Sequence, residues 1–195
     1  MERRHLVGGV RKLGMILLIV AATGCAGLNQ TDQNEAQVVN VDQVIADLTP
    51  HIEKLYLSWH DLDQIYKDIK FLERGFLFDA DDRQLGYVQK ASLYVQDASL
   101  RIHHQWEQLS VLHYIRPELM RDYLTLNVDG LTSAIKEIAY DRQFLTIYGS
   151  FIAHEAVTQD LNQARHLIDK NYEILNQILE RLLPIANAAS PPTTL

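Results

Sequence analysis

Apolar residues recur every seven positions along most of this 195-residue chain, and this repeat limits the possible fold more than any other feature. Seven residues make two turns of an α-helix, so each row forms one apolar stripe on a helix. A β-strand cannot produce such a stripe, because its side chains alternate with a period of two. The three longest rows are Val88, Val95, Ile102, Leu109, then Leu124, Leu131, Ile138, Leu145, and then Leu161, Ile168, Leu175, Leu182. The repeat predicts an all-α fold.

The segment before these rows carries two shorter ones, Ile52, Trp59, Tyr66 and Leu55, Leu62, Ile69. Thr49 followed by Pro50 matches a helix start, with an N-cap threonine and a proline in the first turn. A further apolar face precedes this start. We therefore expect a short extra N-terminal helix that carries Val38, Val41, Ile45 and Leu48.

Turn signals divide the rows into four long helices. Acidic residues at 79–84 mark one turn, and Pro117 marks the next. The last break falls within 149–159, where the helix could end at Gly149 or begin at Thr158 as an N-cap. Nine glycines and five prolines are too few for a turn-rich β fold. These signals predict an up-down four-helix bundle, and the seven-residue spacing predicts left-handed packing.

The first 24 residues differ from the rest of the chain. Arg3, Arg4, Arg11 and Lys12 precede an uncharged apolar run at 13–22, and small residues follow it. This order is that of a secretory signal peptide. A transmembrane anchor is the alternative, but residues 13–28 amount to 16 positions, and a membrane-spanning helix needs about 20.

The stretch AATGC at 21–25 resembles the lipobox of bacterial lipoprotein precursors, and Cys25 is the only cysteine of the chain. The resemblance implies that the cysteine sulfur receives a diacylglyceryl group and that cleavage falls between Gly24 and Cys25. One departure is Ala22, which stands where the lipobox usually has leucine. Several acyl chains on one residue would give durable anchoring, whereas a single chain binds a membrane only reversibly.

The signal peptide, the lipobox resemblance and the heptad rows together predict four parts of the chain. We expect a signal peptide at 1–24, a lipidated cysteine with a flexible polar tether at 25–37, the helical bundle at 38–187 and a disordered tail at 188–195. The tether would span about 20 Å as a random coil. Ala26 is not the aspartate that is associated with inner-membrane retention. The resemblance therefore implies the periplasmic face of the outer membrane in a diderm cell, and otherwise the outer face of the plasma membrane.

The charge of the chain argues against a nucleic-acid partner. Removal of residues 1–24 takes away four basic residues and one acidic residue, which changes the formal net charge from −7 to −10. A chain of this charge repels phosphate backbones, and no stretch is rich in Lys and Arg with interleaved aromatic residues. We predict no nucleic-acid binding.

Eight histidines raise the question of a metal or haem, since helical bundles host both. The one Glu-x-x-His pattern, Glu2 with His5, lies in the predicted signal peptide, and no His-Glu-x-x-His or Cys-x-x-Cys-His pattern is present. The nearest candidates are His103 with Glu107, one turn apart, and His154, which extends the row of Leu161 backwards and is expected to point inward. We predict no metal site and no cofactor.

The sequence also lacks a catalytic pattern, since it has no Gly-x-Ser-x-Gly and no phosphate-binding loop. We therefore predict a protein that is not an enzyme. Nine tyrosines indicate either flanks of the core or a surface that binds a partner. The leading hypothesis is a lipid-anchored module that binds or scaffolds another envelope protein. The alternatives are a periplasmic carrier of a small molecule, haem or metal in the bundle core, and a homo-oligomer.

Overall fold

A computed structural model describes residues 41–79 and 82–188 of the chain. They form four long α-helices, and a short 3-10 helix spans Val111–Tyr114 between the second and third of them. Every regular element within these two ranges is helical, so the all-α prediction is confirmed. The four helices are α1 (Val41–Asp79), α2 (Asp82–Ser110), α3 (Pro117–Gly149) and α4 (Glu155–Ala188).

The helices pack in a ring in chain order. Each contacts the next, α4 closes the ring against α1, and α1 and α3 stand at diagonal positions. The connections are short, as antiparallel neighbours require. Side-chain contacts follow the same order: Gln89 of α2 lies 3.2 Å from Glu73 near the end of α1, and Arg101 of α2 contacts Asp141 of α3. The helical bundle predicted from the heptad rows is therefore confirmed.

The three long heptad rows form the centre of the core. All twelve of their members are buried, and none is more than 4% exposed. On α1, the row of Leu55, Leu62 and Ile69 is fully buried, whereas Trp59 and Tyr66 lie at its flank and are only partly buried. Four small residues of α2 are also buried, which lets the neighbouring helices approach closely: Ala91, Ser92, Ala98 and Ser99.

The expected short N-terminal helix is not a separate element, and the helix start predicted at Thr49-Pro50 is wrong. Pro50 lies inside α1. A proline within a helix costs about 3 kcal/mol, but Ile45 and Leu48 continue the buried face of α1 across it in phase. Burial of two such side chains contributes about 1.5–3 kcal/mol each, which is enough to offset the proline. The Thr49 hydroxyl donates to the Ile45 carbonyl, 3.0 Å away, instead of capping a new helix.

The last turn falls at one of the two predicted places. α3 ends at Gly149, so the glycine signal is confirmed. Thr158 is not the N-cap of α4, because the helix begins at Glu155. His154 takes that role, and its Nδ1 accepts the backbone N–H of Val157 at 3.4 Å. His154 is exposed in this turn, so the prediction that it points inward is wrong.

Candidate interaction surface

The candidate pair His103 and Glu107 on α2 is adjacent, but His103 faces α1 rather than the core. His103 Nε2 lies 3.8 Å from Glu107 Oε1, one helical turn along. The His103 ring stacks on Trp59 of α1, with 4.0 Å between the ring centroids. Its side chain is 27% exposed. His103 is therefore part of an aromatic contact between two helices.

Three further histidines, among them the candidate His154, are spread over the molecule. His104 Nε2 lies 3.0 Å from the Gln108 amide on the same helix. His113 Nε2 lies 3.2 Å from the Thr49 hydroxyl at the end of the bundle where α1 begins, and His154 caps α4 at the opposite end. Across residues 41–79 and 82–188, no three His, Cys, Asp or Glu side chains gather closely enough to hold a metal ion. Gly24 and Cys25, the predicted cleavage and lipidation site, lie outside the described residues.

Four aromatic rings form a surface cluster at the α1–α2 seam, which we call the tryptophan cluster: Tyr56, Trp59, His103 and Trp106. Tyr56 and Trp59 are three residues apart on α1, as are His103 and Trp106 on α2, so each pair lies on one helix face. The two indoles are nearly parallel, with an angle of 9° between the rings and 6.1 Å between their centroids. Tyr56 covers Trp106 at 5.0 Å. The cluster contains both tryptophans of the protein.

A cleft of about 430 Å³ opens beside this cluster. It is lined by Ile52, Glu53, Tyr56, Leu57 and Trp106. Leu57 is 62% exposed and Tyr56 is 40% exposed, so apolar surface meets water here. Glu53 supplies a carboxylate to a lining that is otherwise aliphatic or aromatic. A mainly apolar pocket with one charged group in its lining suits an apolar side chain of a ligand or partner.

A second aromatic group, the tyrosine cluster, lies on the α2–α3 seam: Tyr94, Tyr140, Phe144 and Tyr148. The three members on α3 are four residues apart and form a ladder on one face. Tyr94 of α2 stacks on Phe144 at 5.4 Å and on Tyr148 at 5.8 Å. Burial raises the pKa of Tyr94, and the neighbouring tyrosines and acids raise it further. The outermost ring, Tyr140, is 54% exposed.

The α2–α3 seam also holds a buried acid. Arg101 donates from Nε to Glu137 at 2.7 Å and from Nη1 to Asp141 at 2.6 Å. The hydrogen bond from Arg101 lowers the pKa of Glu137. Burial has the opposite effect on Asp141 and raises its pKa to about 7, because the desolvation of the carboxylate outweighs the attraction of Arg101.

Two asparagines, Asn127 and Asn171, lie buried in the core. Asn127 Nδ2 donates to the Tyr123 carbonyl and Asn171 Nδ2 to the Leu167 carbonyl, both at 2.8 Å. Their Oδ1 atoms are buried without a hydrogen-bond partner among the described residues. Each amide is bonded along its own helix, which agrees with a structural role at some cost in stability.

Comparison with protein-family models, with curated proteins and with solved structures finds no match to this chain. Within the ranges that the structure describes, no helix combines the length and the apolar character needed to cross a membrane.

Proposed function

We propose that this chain is a non-catalytic lipoprotein of the bacterial cell envelope, anchored through lipid on Cys25, whose bundle binds a protein partner at the tryptophan cluster. The observation that carries the proposal is the tryptophan cluster with its cleft. Tryptophan and tyrosine dominate the binding energy of protein interfaces, where they fill or line pockets. Here Trp106 lines a cleft together with the exposed Leu57, and Trp59 stacks beside Trp106.

The N-terminal sequence supports the location. The basic, apolar and small residues before Cys25 follow the order of a signal peptide and end in a lipobox-like stretch. A lipid on Cys25 would hold the bundle at a membrane surface and restrict its partners to proteins of the envelope. Such confinement raises the effective concentration of a partner in the same membrane, so a small interface suffices.

The geometry gives less support to a carrier of haem or metal in the bundle core. His103 stacks against Trp59 at the surface seam, and His154 caps α4 in an exposed turn. The core rows between the helices are occupied by buried aliphatic side chains. A carrier would need ligands that point into that core.

Site-specific photocrosslinking in the native envelope tests the partner surface. A photoreactive residue replaces Leu57 beside the cleft or, as the control, Leu126 on the diagonal helix α3. Both leucines are well exposed, at 62% and 70%, so the two probes meet solvent equally well. We expect one distinct adduct from position 57 and none of that mass from position 126.

A further substitution links the adduct to the cluster. Trp106→Ala removes a side chain that lines the cleft. It should lower the yield of crosslinked adduct from position 57 by about tenfold or more. Equal yields at both positions, or a yield that Trp106→Ala does not change, would contradict the proposed surface. An adduct of twice the mass of this chain would identify the partner as a second copy.

A further inference from the structure

One end of the bundle carries exposed apolar side chains next to the start of α1. The 3-10 helix at Val111–Tyr114 lies at this end, and its His113 is 3.2 Å from Thr49 of α1. The last turns of α4 are there as well, since Arg181 donates to the Asp47 carbonyl at 3.3 Å. α1 therefore begins at this end of the bundle.

Three residues form what we call the corner surface: Val111, Tyr114 and Leu119. Tyr114 is 85% exposed, Leu119 is 48% exposed and Val111 is 38% exposed. They occupy the connection between α2 and α3 and the first turn of α3. The exposed Arg116 lies between Tyr114 and Leu119 in the sequence. The corner thus combines an aromatic ring, two aliphatic side chains and a guanidinium group.

The length of the connecting sequence brings the corner surface within reach of a bilayer, and this step rests on the proposed anchor at Cys25. Residues 26–40 separate the cysteine from Val41, and they are mostly polar. Fully extended, a chain of this length reaches about 50 Å at most. The far end of α1 lies beyond this reach, since 39 residues of helix measure about 58 Å.

We propose that the corner surface contacts the lipid headgroup region of the membrane that holds the anchor. Tyrosine is enriched at membrane interfaces, where its ring meets the acyl chains and its hydroxyl stays in water. The anchor makes the contact intramolecular, so three apolar side chains are enough to orient the bundle. The contact turns the α3–α4 connection away from the membrane.

Lipid-borne quenching of a single fluorophore tests this orientation. Tyr114→Cys places the label in the corner, and Phe71→Cys is the matched control, because Phe71 is an aromatic residue of α1 that is 73% exposed. Phe71 lies 30 residues beyond the start of α1, about 45 Å along the helix. The natural cysteine is blocked by its lipid, so each variant of the mature full chain has one free thiol.

The labelled, acylated chains are reconstituted into phosphatidylethanolamine vesicles with a minority of phosphatidylglycerol and a nitroxide-bearing lipid. We expect several-fold stronger lipid-borne quenching at position 114 than at position 71, and weaker quenching by a water-soluble quencher at 114. Equal quenching at both positions would overturn the proposal. So would protection of position 114 from the aqueous quencher without lipid-borne quenching, which would indicate that a protein covers the corner.

A mass measurement on the same samples separates this proposal from the proposed function. A chain that lacks acyl groups on Cys25 overturns the anchor and, with it, the lipid contact. An acylated chain in which position 114 stays fully open to water overturns the lipid contact alone. The anchor and the tryptophan cluster would then stand.

Discussion

Arg101 of α2 and Asp141 of α3 form an ion pair of 2.6 Å across the helix seam, although the Asp141 side chain is only 2% exposed. The acid is thus buried against a cation that is itself 30% exposed. Removal of one partner of a buried pair leaves an uncompensated charge in the protein interior. The pair therefore makes the stability of the bundle sensitive to pH and to substitution.

The first prediction concerns pH. Burial raises the folded-state pKa of Asp141 to about 7, above the value of about 4 expected in the unfolded chain. Between pH 4 and pH 7, Asp141 is protonated in the folded chain and ionised in the unfolded chain. The contribution of Asp141 to stability is therefore greatest below pH 4 and is lost as pH rises towards 7. The slope approaches about 1.4 kcal/mol per pH unit. Urea unfolding of the wild type and of Asp141→Asn at several pH values measures the difference.

Asn cannot ionise, so the free energy of unfolding of Asp141→Asn should fall less over this window than that of the wild type. The comparison removes the contribution of all other carboxylates, because both chains share them. Parallel pH profiles for the two chains would contradict the raised pKa.

The second prediction compares a buried ion pair with an exposed one. Arg101→Met at pH 8 should lower the free energy of unfolding by about 3–5 kcal/mol, because it leaves the Asp141 carboxylate buried and unpaired. At pH 5 the loss should be smaller, since Asp141 can take up a proton. The matched control is Arg142→Met on α3, whose pair with Asp169 is 47% and 36% exposed.

Exposed pairs contribute less than about 1 kcal/mol, so Arg142→Met should change stability little. Chemical denaturation of both variants at the two pH values decides the matter. A loss for Arg101→Met no larger than that for Arg142→Met would refute the structural importance of the buried pair.

The third prediction uses two adjacent histidines. His103 stacks on Trp59, whereas His104 lies beside Gln108 on the exposed side of the same helix. His103→Ala uncovers the indole, so tryptophan emission should shift to longer wavelength and stability should fall by about 1 kcal/mol. His104→Ala should leave both unchanged. Because both tryptophans belong to the cluster, fluorescence reports this surface alone, and identical spectra for the two variants would argue against the stacking.

The periodicity of the sequence was sufficient to predict the core, because burial follows the heptad directly. It was not sufficient at Pro50, where a local helix-start signal competed with the burial of Ile45 and Leu48, and tertiary packing prevailed. The prediction for His154 failed for a different reason. The apolar row of Leu161 does not continue before the start of α4, because His154 lies in the turn and caps the helix.

The candidate surface could be predicted only in part. The spacing of Tyr56 and Trp59, and that of His103 and Trp106, indicates a shared face on each helix. Whether the pair on α1 contacts the pair on α2 depends on the register between the two helices, and no pattern within one helix specifies that register. The same limit applies to Arg101 and Asp141, which are 40 residues apart in the chain and adjacent in space.

The identity of the mature N-terminus tests the central claim most directly, because the proposed anchorage at Cys25 would determine where the bundle acts. Mass spectrometry of the protein isolated from the cell envelope should find a chain that begins at Cys25 and carries acyl groups on that residue. Cys25→Ser should remove the acyl groups and leave the precursor uncleaved after Gly24. An unmodified Cys25 in the envelope protein, or unchanged processing of Cys25→Ser, would contradict the account.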